Sequence, residues 1–263
     1  MTIAKLTQKQ VKILNIRIDG ITKGRLLTTI GNLLANGKKF NVVTPNPEMI
    51  LQAQTDRNLA LAIDRATFSL ADGIGLKMFA DNTLEIIHGR KLVLDLLKLA
   101  NEKGLKAFFV TSDQKNTNQK LLAKIEREYP QIAVQSEVGP RLTPGALPTN
   151  SQETENQAQL ITKINIFKPD LLFVSMSTPK QEIWVDIHRE ELNAIGVFCV
   201  GAGLDFYAGT AKVPPRWMEK LEIEWLWRLL TEPKRLKRIL NAVVVFPFTL
   251  LFNKLKKNQS PDI

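Results

Sequence analysis

Asp170-Leu-Leu-Phe-Val-Ser175 is followed by Met-Ser-Thr-Pro-Lys180-Gln-Glu-Ile-Trp-Val-Asp-Ile-His-Arg-Glu-Glu-Leu192 and then by Ile195-Gly-Val-Phe-Cys-Val200. Two short, continuously apolar, β-branched and aromatic runs flank one helical pattern. Strands lacking polar alternation are buried on both faces, and that requires a parallel sheet sandwiched between helices. Working outward, the same alternation recurs. Lys39 to Thr44 reads as a strand and Pro47 to about Ile63 as a helix. Ala107 to Thr111 is a strand, Gln114 to Tyr129 a helix stopped by Pro130, Ile132 to Val138 a strand, and Ser151 to Phe167 a helix. Gly139 to Asn150, with three prolines and two glycines, is a surface loop. The expectation is an α/β fold, a Rossmann-like parallel sheet with helices on both faces, over residues 1–209.

The chain has 263 residues, 44% of them hydrophobic, with a single cysteine. That is enough apolar content for a packed core and too much for a disordered chain. Cys199 alone makes no internal disulfide, and beside His88 and His188 it gives a poor ligand supply for a zinc site. The reading is therefore of a protein with no metal and no cofactor. Met1 to Gln10 is polar and does not resemble a signal peptide.

Lys and Arg outnumber Asp and Glu by 36 to 26, a net charge of +10. The excess gathers at the end of the chain, with eleven basic residues against five acidic ones from Thr210 onward, an excess of six. The texture also changes there, so residues 210–263 are read as a basic, amphipathic helical appendage. Trp217 to Leu230 places Trp217, Leu221, Trp225 and Leu229 at steps of four, and Lys234 to Phe252 reads as a second helix kinked at Pro247. The apolar part, Ile239 to Phe252, is shorter than the ~20 residues that cross a bilayer. Basic clusters at 234–238 and 254–257 flank it, the pattern of a segment lying in the plane of an anionic membrane surface. A helix simply packed on the core with solvated ends fits the same residues. The segment could also dock on a second copy of the chain, giving a homo-oligomer. Basic and aromatic residues do not interleave on strands, so nucleic acid is not the expected polyanion.

In open parallel sheets, ligands bind beyond the carboxyl ends of the strands. Four such segments carry polar residues. In Thr44-Pro-Asn-Pro-Glu48, Asn46 can cap a helix and its free N–H groups can receive an anion; an ordinary capped helix is the plain alternative. Ala71-Asp-Gly-Ile-Gly75 sets a carboxylate, Asp72, in a tight turn where a general base could stand, although Asp–Gly turns are common. In Ser175 to Glu182, Lys180 can pair with a phosphate and Gln181 offers both a donor and an acceptor; a solvated helix start is equally compatible. Gly201 to Gly209 lets a backbone approach a phosphate, or Asp205 ties that loop by accepting backbone N–H groups. The chain contains neither an Asp-x-Asp pair nor a phosphate-binding Gly-x-x-x-x-Gly-Lys loop.

In this order, the segments resemble the WecG/TagA/CpsF family of glycosyltransferases. The most specific stretch is Trp217-Met-x-Lys-Leu-x-Ile-Glu-Trp225-Leu-Trp-Arg228-Leu-Leu-x-Glu-Pro233-Lys-Arg235-Leu-x-Arg238. The resemblance implies a metal-independent, inverting transferase on the inner face of the cytoplasmic membrane. It would move an N-acetylmannosamine-type sugar from UDP to a polyprenyl-diphosphate-linked amino sugar in cell-surface polysaccharide synthesis. It further implies Asp72 as the base, Thr44, Asn46 and Gln181 as substrate contacts, and Arg228, Arg235 and Arg238 as a cradle for the lipid diphosphate. The chain departs from the family pattern at Ile86 and Lys91, where arginine and aspartate are usual, at Ser175-Met-Ser177 and at Val213. A non-catalytic UDP-sugar-binding or membrane scaffold on the same fold is the competing reading.

Overall fold

The computed structural model describes residues 9–77, 84–112, 116–221, 223–231 and 236–259. An antiparallel hairpin, β1 (Lys9–Ile13) and β2 (Ile16–Gly20), leads into α1 (Lys23–Ala35), β3 (Phe40–Val43), α2 (Pro47–Gln52), α3 (Arg57–Arg65), β4 (Phe68–Ser69) and α4 (Ile74–Lys77). The chain continues through α5 (Gly89–Lys103), β5 (Lys106–Thr111), α6 (Thr117–Glu128), β6 (Ala133–Val138), α7 (Ser151–Phe167), β7 (Leu171–Ser175), α8 (Lys180–His188), β8 (Gly196–Cys199) and α9 (Gly203–Ala208). The last part comprises α10 (Arg216–Lys220), α11 (Glu224–Thr231), α12 (Leu236–Leu240), a π-helical turn (Asn241–Val245) and α13 (Phe246–Gln259).

Strands β3 to β8 form one parallel sheet in the order β4-β3-β8-β7-β5-β6. All five residues of β7 are buried, as are the four of β8, and side chains alternate between two cores. Phe108, Val110, Leu172 and Val174 face the core that α2, α3, α7 and α8 cover. Phe109, Phe173, Phe198 and Phe40 face the one that α1, α5, α6 and α9 cover. On that second face the rings form a ladder across the sheet. Phe109 stacks on Phe173 at 4.9 Å, Phe173 on Phe198 at 5.4 Å, and Phe198 meets Phe40 edge-on at 5.6 Å. Each such pair adds about 1 kcal/mol to simple burial. This is the Rossmann-like α/β architecture expected from the central strands.

Several elements differ from the sequence reading. The helix expected over 47–63 is two helices. Asp56 interrupts it, its carboxylate accepting from the Asn58 and Leu59 amides at 3.1 Å to cap α3. Helix α8 stops at His188 instead of Leu192. The single helix expected over 217–230 is broken between Lys220 and Glu224 into α10 and α11. Residues 232–235, which include the first two residues of the expected last helix, lie outside the described residues. Its predicted kink at Pro247 takes the form of the π turn, in which the Phe246 amide donates to the Asn241 carbonyl. Proline at 247 has no N–H and crowds the carbonyl four residues back, so the helix widens just ahead of it.

The C-terminal elements lie against α2. Phe246 is fully buried in the core beneath that helix, while Val244, Val245, Phe248, Leu251 and Phe252 point outward and are exposed. Among the described residues no helix is long and apolar enough to cross a membrane.

Candidate active site

The carboxyl ends of β3, β4, β7 and β8, where β8 returns between β3 and β7, open into a cleft of about 530 Å³. The C-terminal elements close its far side through Glu224, Trp225, Arg238, Ile239 and Val243. Three loops are pinned side by side at its base. The Asp72 amide donates to the Pro45 carbonyl and the Ile87 amide to the Ala71 carbonyl, both at 2.9 Å. Residues 45–46, 71–72 and 87–88 therefore form adjoining rails, although they are distant in sequence.

This arrangement brings Asp72 to His88. Asp72 Oδ1 lies 3.0 Å from His88 Nδ1, and each side chain is about a quarter exposed to the cleft (28% and 27%). His88 occupies the N-cap position of α5, yet its ring caps nothing and turns to the carboxylate. The hydrogen bond to Asp72 raises the imidazole's pKa above its usual value of 6.5. Burial and Lys91 oppose that rise, while the charges of Asp72 and Glu224 favour it. Gly89 follows, and a Cβ there would stand 3.3 Å from Thr44 Oγ1 and 3.6 Å from the Val200 carbonyl, so glycine keeps the cleft floor open.

Thr44 is buried at the end of β3, its hydroxyl 3.5 Å from the Cys199 carbonyl. Asn46 caps α2 as expected, Oδ1 accepting from the Met49 amide at 2.9 Å, which leaves its NH₂ group for a ligand. Gln181 and Glu182 line the opposite wall and are both buried. Gln181 Nε2 donates to Glu182 Oε1 at 2.6 Å, and Thr178 Oγ1 donates to the same oxygen at 3.3 Å. Gln181 Oε1 and Glu182 Oε2 have no hydrogen-bond partner among the described residues. Burial, only partly offset by these hydrogen bonds, pushes the Glu182 pKa up to about 7. Burial and the neighbouring Glu182 charge push the Cys199 thiol up as well.

Two arginines enter the cleft, each held by a carboxylate from another element. Arg90 on α5 donates to Glu224 on α11 at 2.7 Å, and its guanidinium sits 6.0 Å from the Phe206 ring. Arg238 on α12 pairs with Glu48 on α2. These two pairs join the C-terminal elements to the α/β layer.

Of the residues singled out in the sequence, Thr44, Asn46, Asp72, Gln181 and Arg238 line the cleft together. Lys180 does not. It begins α8 and lies outside the cleft-lining set. Arg228 lies on α11, and Arg235 falls outside the described residues. Asp205 ties its loop differently from expectation. Its side chain accepts from the Thr117 hydroxyl at 2.7 Å, while its backbone carbonyl receives the Thr210 and Ala211 amides. His88 and Glu182 went unassigned. The only signal for His88 was its place beside Gly89 at a helix start, since no sequence spacing links it to Asp72. Among the described residues no cluster of three or more His, Cys, Asp or Glu side chains could hold a metal ion.

Residues 11–260 match the model of the glycosyl transferase WecG/TagA/CpsF family. The chain is also 28% identical over 253 residues to the N-acetylglucosaminyldiphosphoundecaprenol N-acetyl-beta-D-mannosaminyltransferase of Staphylococcus aureus strain NCTC 8325, covering 94% of each chain. The protein of the same description from strain MRSA252 is similar to the same degree.

Proposed function

Because the chain belongs to the WecG/TagA/CpsF family of glycosyltransferases, we propose that it transfers an N-acetylmannosamine-type sugar from a UDP-sugar to a polyprenyl-diphosphate-linked amino sugar. The setting is the inner membrane surface, and the product feeds cell-surface polysaccharide synthesis. One observation carries this reading: Asp72 and the guanidinium of Arg238 open onto the same cleft, which Pro247 of α13 also lines, and α13 exposes the apolar side chains of Phe248 and Phe252. An acceptor that is apolar at one end and a sugar diphosphate at the other needs that combination.

The reaction is a single displacement. Asp72 is the basic centre for the acceptor hydroxyl as its oxygen attacks the anomeric carbon, and the bond to the UDP oxygen breaks with inversion. Negative charge grows on the departing diphosphate, for which Arg90 is the cation, while Arg238 meets the diphosphate of the lipid acceptor. Each can exchange its carboxylate partner, Glu224 or Glu48, for phosphate oxygens, with the planar fork fitting two oxygens at once. Thr44, Asn46 and Gln181 supply hydrogen bonds that orient the sugar nucleotide. The aromatic and aliphatic surface of α13 rests in the headgroup region with the basic residues toward anionic lipid.

The test is transfer of labelled sugar from a panel of UDP-sugars onto a polyprenyl-diphosphate N-acetylglucosamine acceptor in anionic vesicles. Acceptor-dependent product from one donor is the expected result. UDP binding without product from any donor would make the protein a sugar-nucleotide-binding scaffold instead.

A further inference from the structure

We infer that the atom accepting the acceptor's proton is His88 Nε2, with Asp72 acting as the carboxylate that orients and charges the ring. The inference rests on the transferase reading and changes only the group that receives the proton.

The argument begins with the two ring nitrogens. Nδ1 lies 3.0 Å from Asp72 Oδ1, so an Nδ1–H donated to the carboxylate fixes the tautomer and leaves Nε2 unprotonated as the basic atom. Both residues line the cleft, and the flanking backbone bonds, Asp72 to Pro45 and Ile87 to Ala71, hold them there. His88 sits where a capping side chain is usual but makes no capping hydrogen bond, so its ring position serves the contact with Asp72 and not the helix.

Chemistry favours the ring over the carboxylate. A general base works best when its pKa lies near the operating pH, which is closer to imidazole than to an isolated carboxylate. The groups around the ring are Asp72 from the loop after β4, Glu224 from α11 and Lys91 on its own helix. The two carboxylates favour the imidazolium that proton transfer would create, and Lys91 opposes it. During transfer, the acceptor O–H bond breaks, its oxygen forms the new bond to the anomeric carbon, and the electron pair of the old bond leaves with the UDP oxygen. The proton rests on Nε2 beside the Asp72 carboxylate, and is then released to water.

The first measurement is independent of turnover: nuclear magnetic resonance of the His88 ring in the full-length protein and in Asp72→Asn. The expected ring carries its neutral-state proton on Nδ1 and titrates above the usual histidine value, with the titration moving down in Asp72→Asn. A neutral ring protonated on Nε2 would overturn the inference. The second is kinetic. His88→Asn can still donate an amide N–H to Asp72 but has no basic nitrogen. Its kcat should fall ~100-fold or more, with donor KM little changed, and the acid limb of the kcat profile should disappear. A His88→Asn enzyme within a few-fold of wild-type kcat, and with the same acid limb, would return the base role to Asp72. If the wild type transfers no sugar, the transferase reading fails and takes the base role with it, while the resonance measurement still decides the hydrogen bond.

Discussion

Glu182→Gln should make the protein more stable at neutral pH, by an amount set by where the carboxyl sits. Glu182 is buried, with no cation among its hydrogen-bond partners, and burial raises its pKa from 4.5 to about 7. The folded chain therefore holds this proton more tightly than the unfolded chain does. Stability from this group is complete below pH 4.5, where both states are protonated, and declines as pH rises toward about 7. At 1.36 kcal/mol per pH unit, the loss approaches about 3 kcal/mol and then levels off. Glutamine has the same shape, cannot ionise, and can still hydrogen-bond to Gln181, so it escapes that loss. Urea unfolding of both proteins across this pH range gives the difference directly. The variant should match the wild type at the acid end and exceed it by about 3 kcal/mol above neutrality. A stability difference that does not change with pH would refute the reasoning, because a buried, raised carboxyl must show this slope.

Arg238→Ala, which removes the cleft guanidinium held by Glu48, should raise the KM for the lipid acceptor about tenfold or more in steady-state transfer assays. A lost charge-assisted hydrogen bond of ~1.5–3 kcal/mol sets that scale. Its circular dichroism should stay at the wild-type level. Replacing both Phe248 and Phe252, exposed on α13, by serine should weaken flotation with anionic vesicles at least ~10-fold, since each buried aromatic contributes ~1.5–3 kcal/mol. Raising salt should weaken the binding of both proteins further, as it screens the basic clusters.

The central sheet was legible because β7 and β8 are continuous apolar runs, and only a doubly covered parallel sheet buries such runs. Helix α7 was read to the residue, since Asn150 caps it, accepting from the Glu153 amide. The split between α2 and α3 was hidden because apolar residues continue at helical spacing on both sides of Thr55-Asp56, and a cap inside such a pattern adds no hydrophobic signal. The hairpin β1–β2 and helices α1 and α5 went unassigned for a related reason. Charged residues such as Arg17 and Asp19 interrupt their apolar pattern, yet Asp19 is buried, its carboxylate accepting from the Ser69 amide at 2.8 Å. Only tertiary structure makes that burial affordable.

The cleft was legible in outline because strand ends collect ligand-binding residues whatever the sequence. What could not be read were the pairings across it. Asp72 and His88 are 16 residues apart, Arg90 and Glu224 are 134 apart, and Glu48 and Arg238 are 190 apart. Such contacts follow from the strand order and the return of the C-terminal elements onto α2. The family departure at Ile86 lies on the cleft lining, beside Arg90, which brings a guanidinium to the same wall.

UDP release by wild type and Asp72→Asn, from UDP-N-acetylmannosamine with and without a polyprenyl-diphosphate N-acetylglucosamine acceptor, tests the central claim most directly. The account predicts acceptor-dependent release by the wild type, reduced ~100-fold or more in a folded Asp72→Asn protein, the usual range for loss of general-base assistance. Equal release by the two proteins would contradict it, because the chemistry would then not pass through the basic centre at the foot of the cleft.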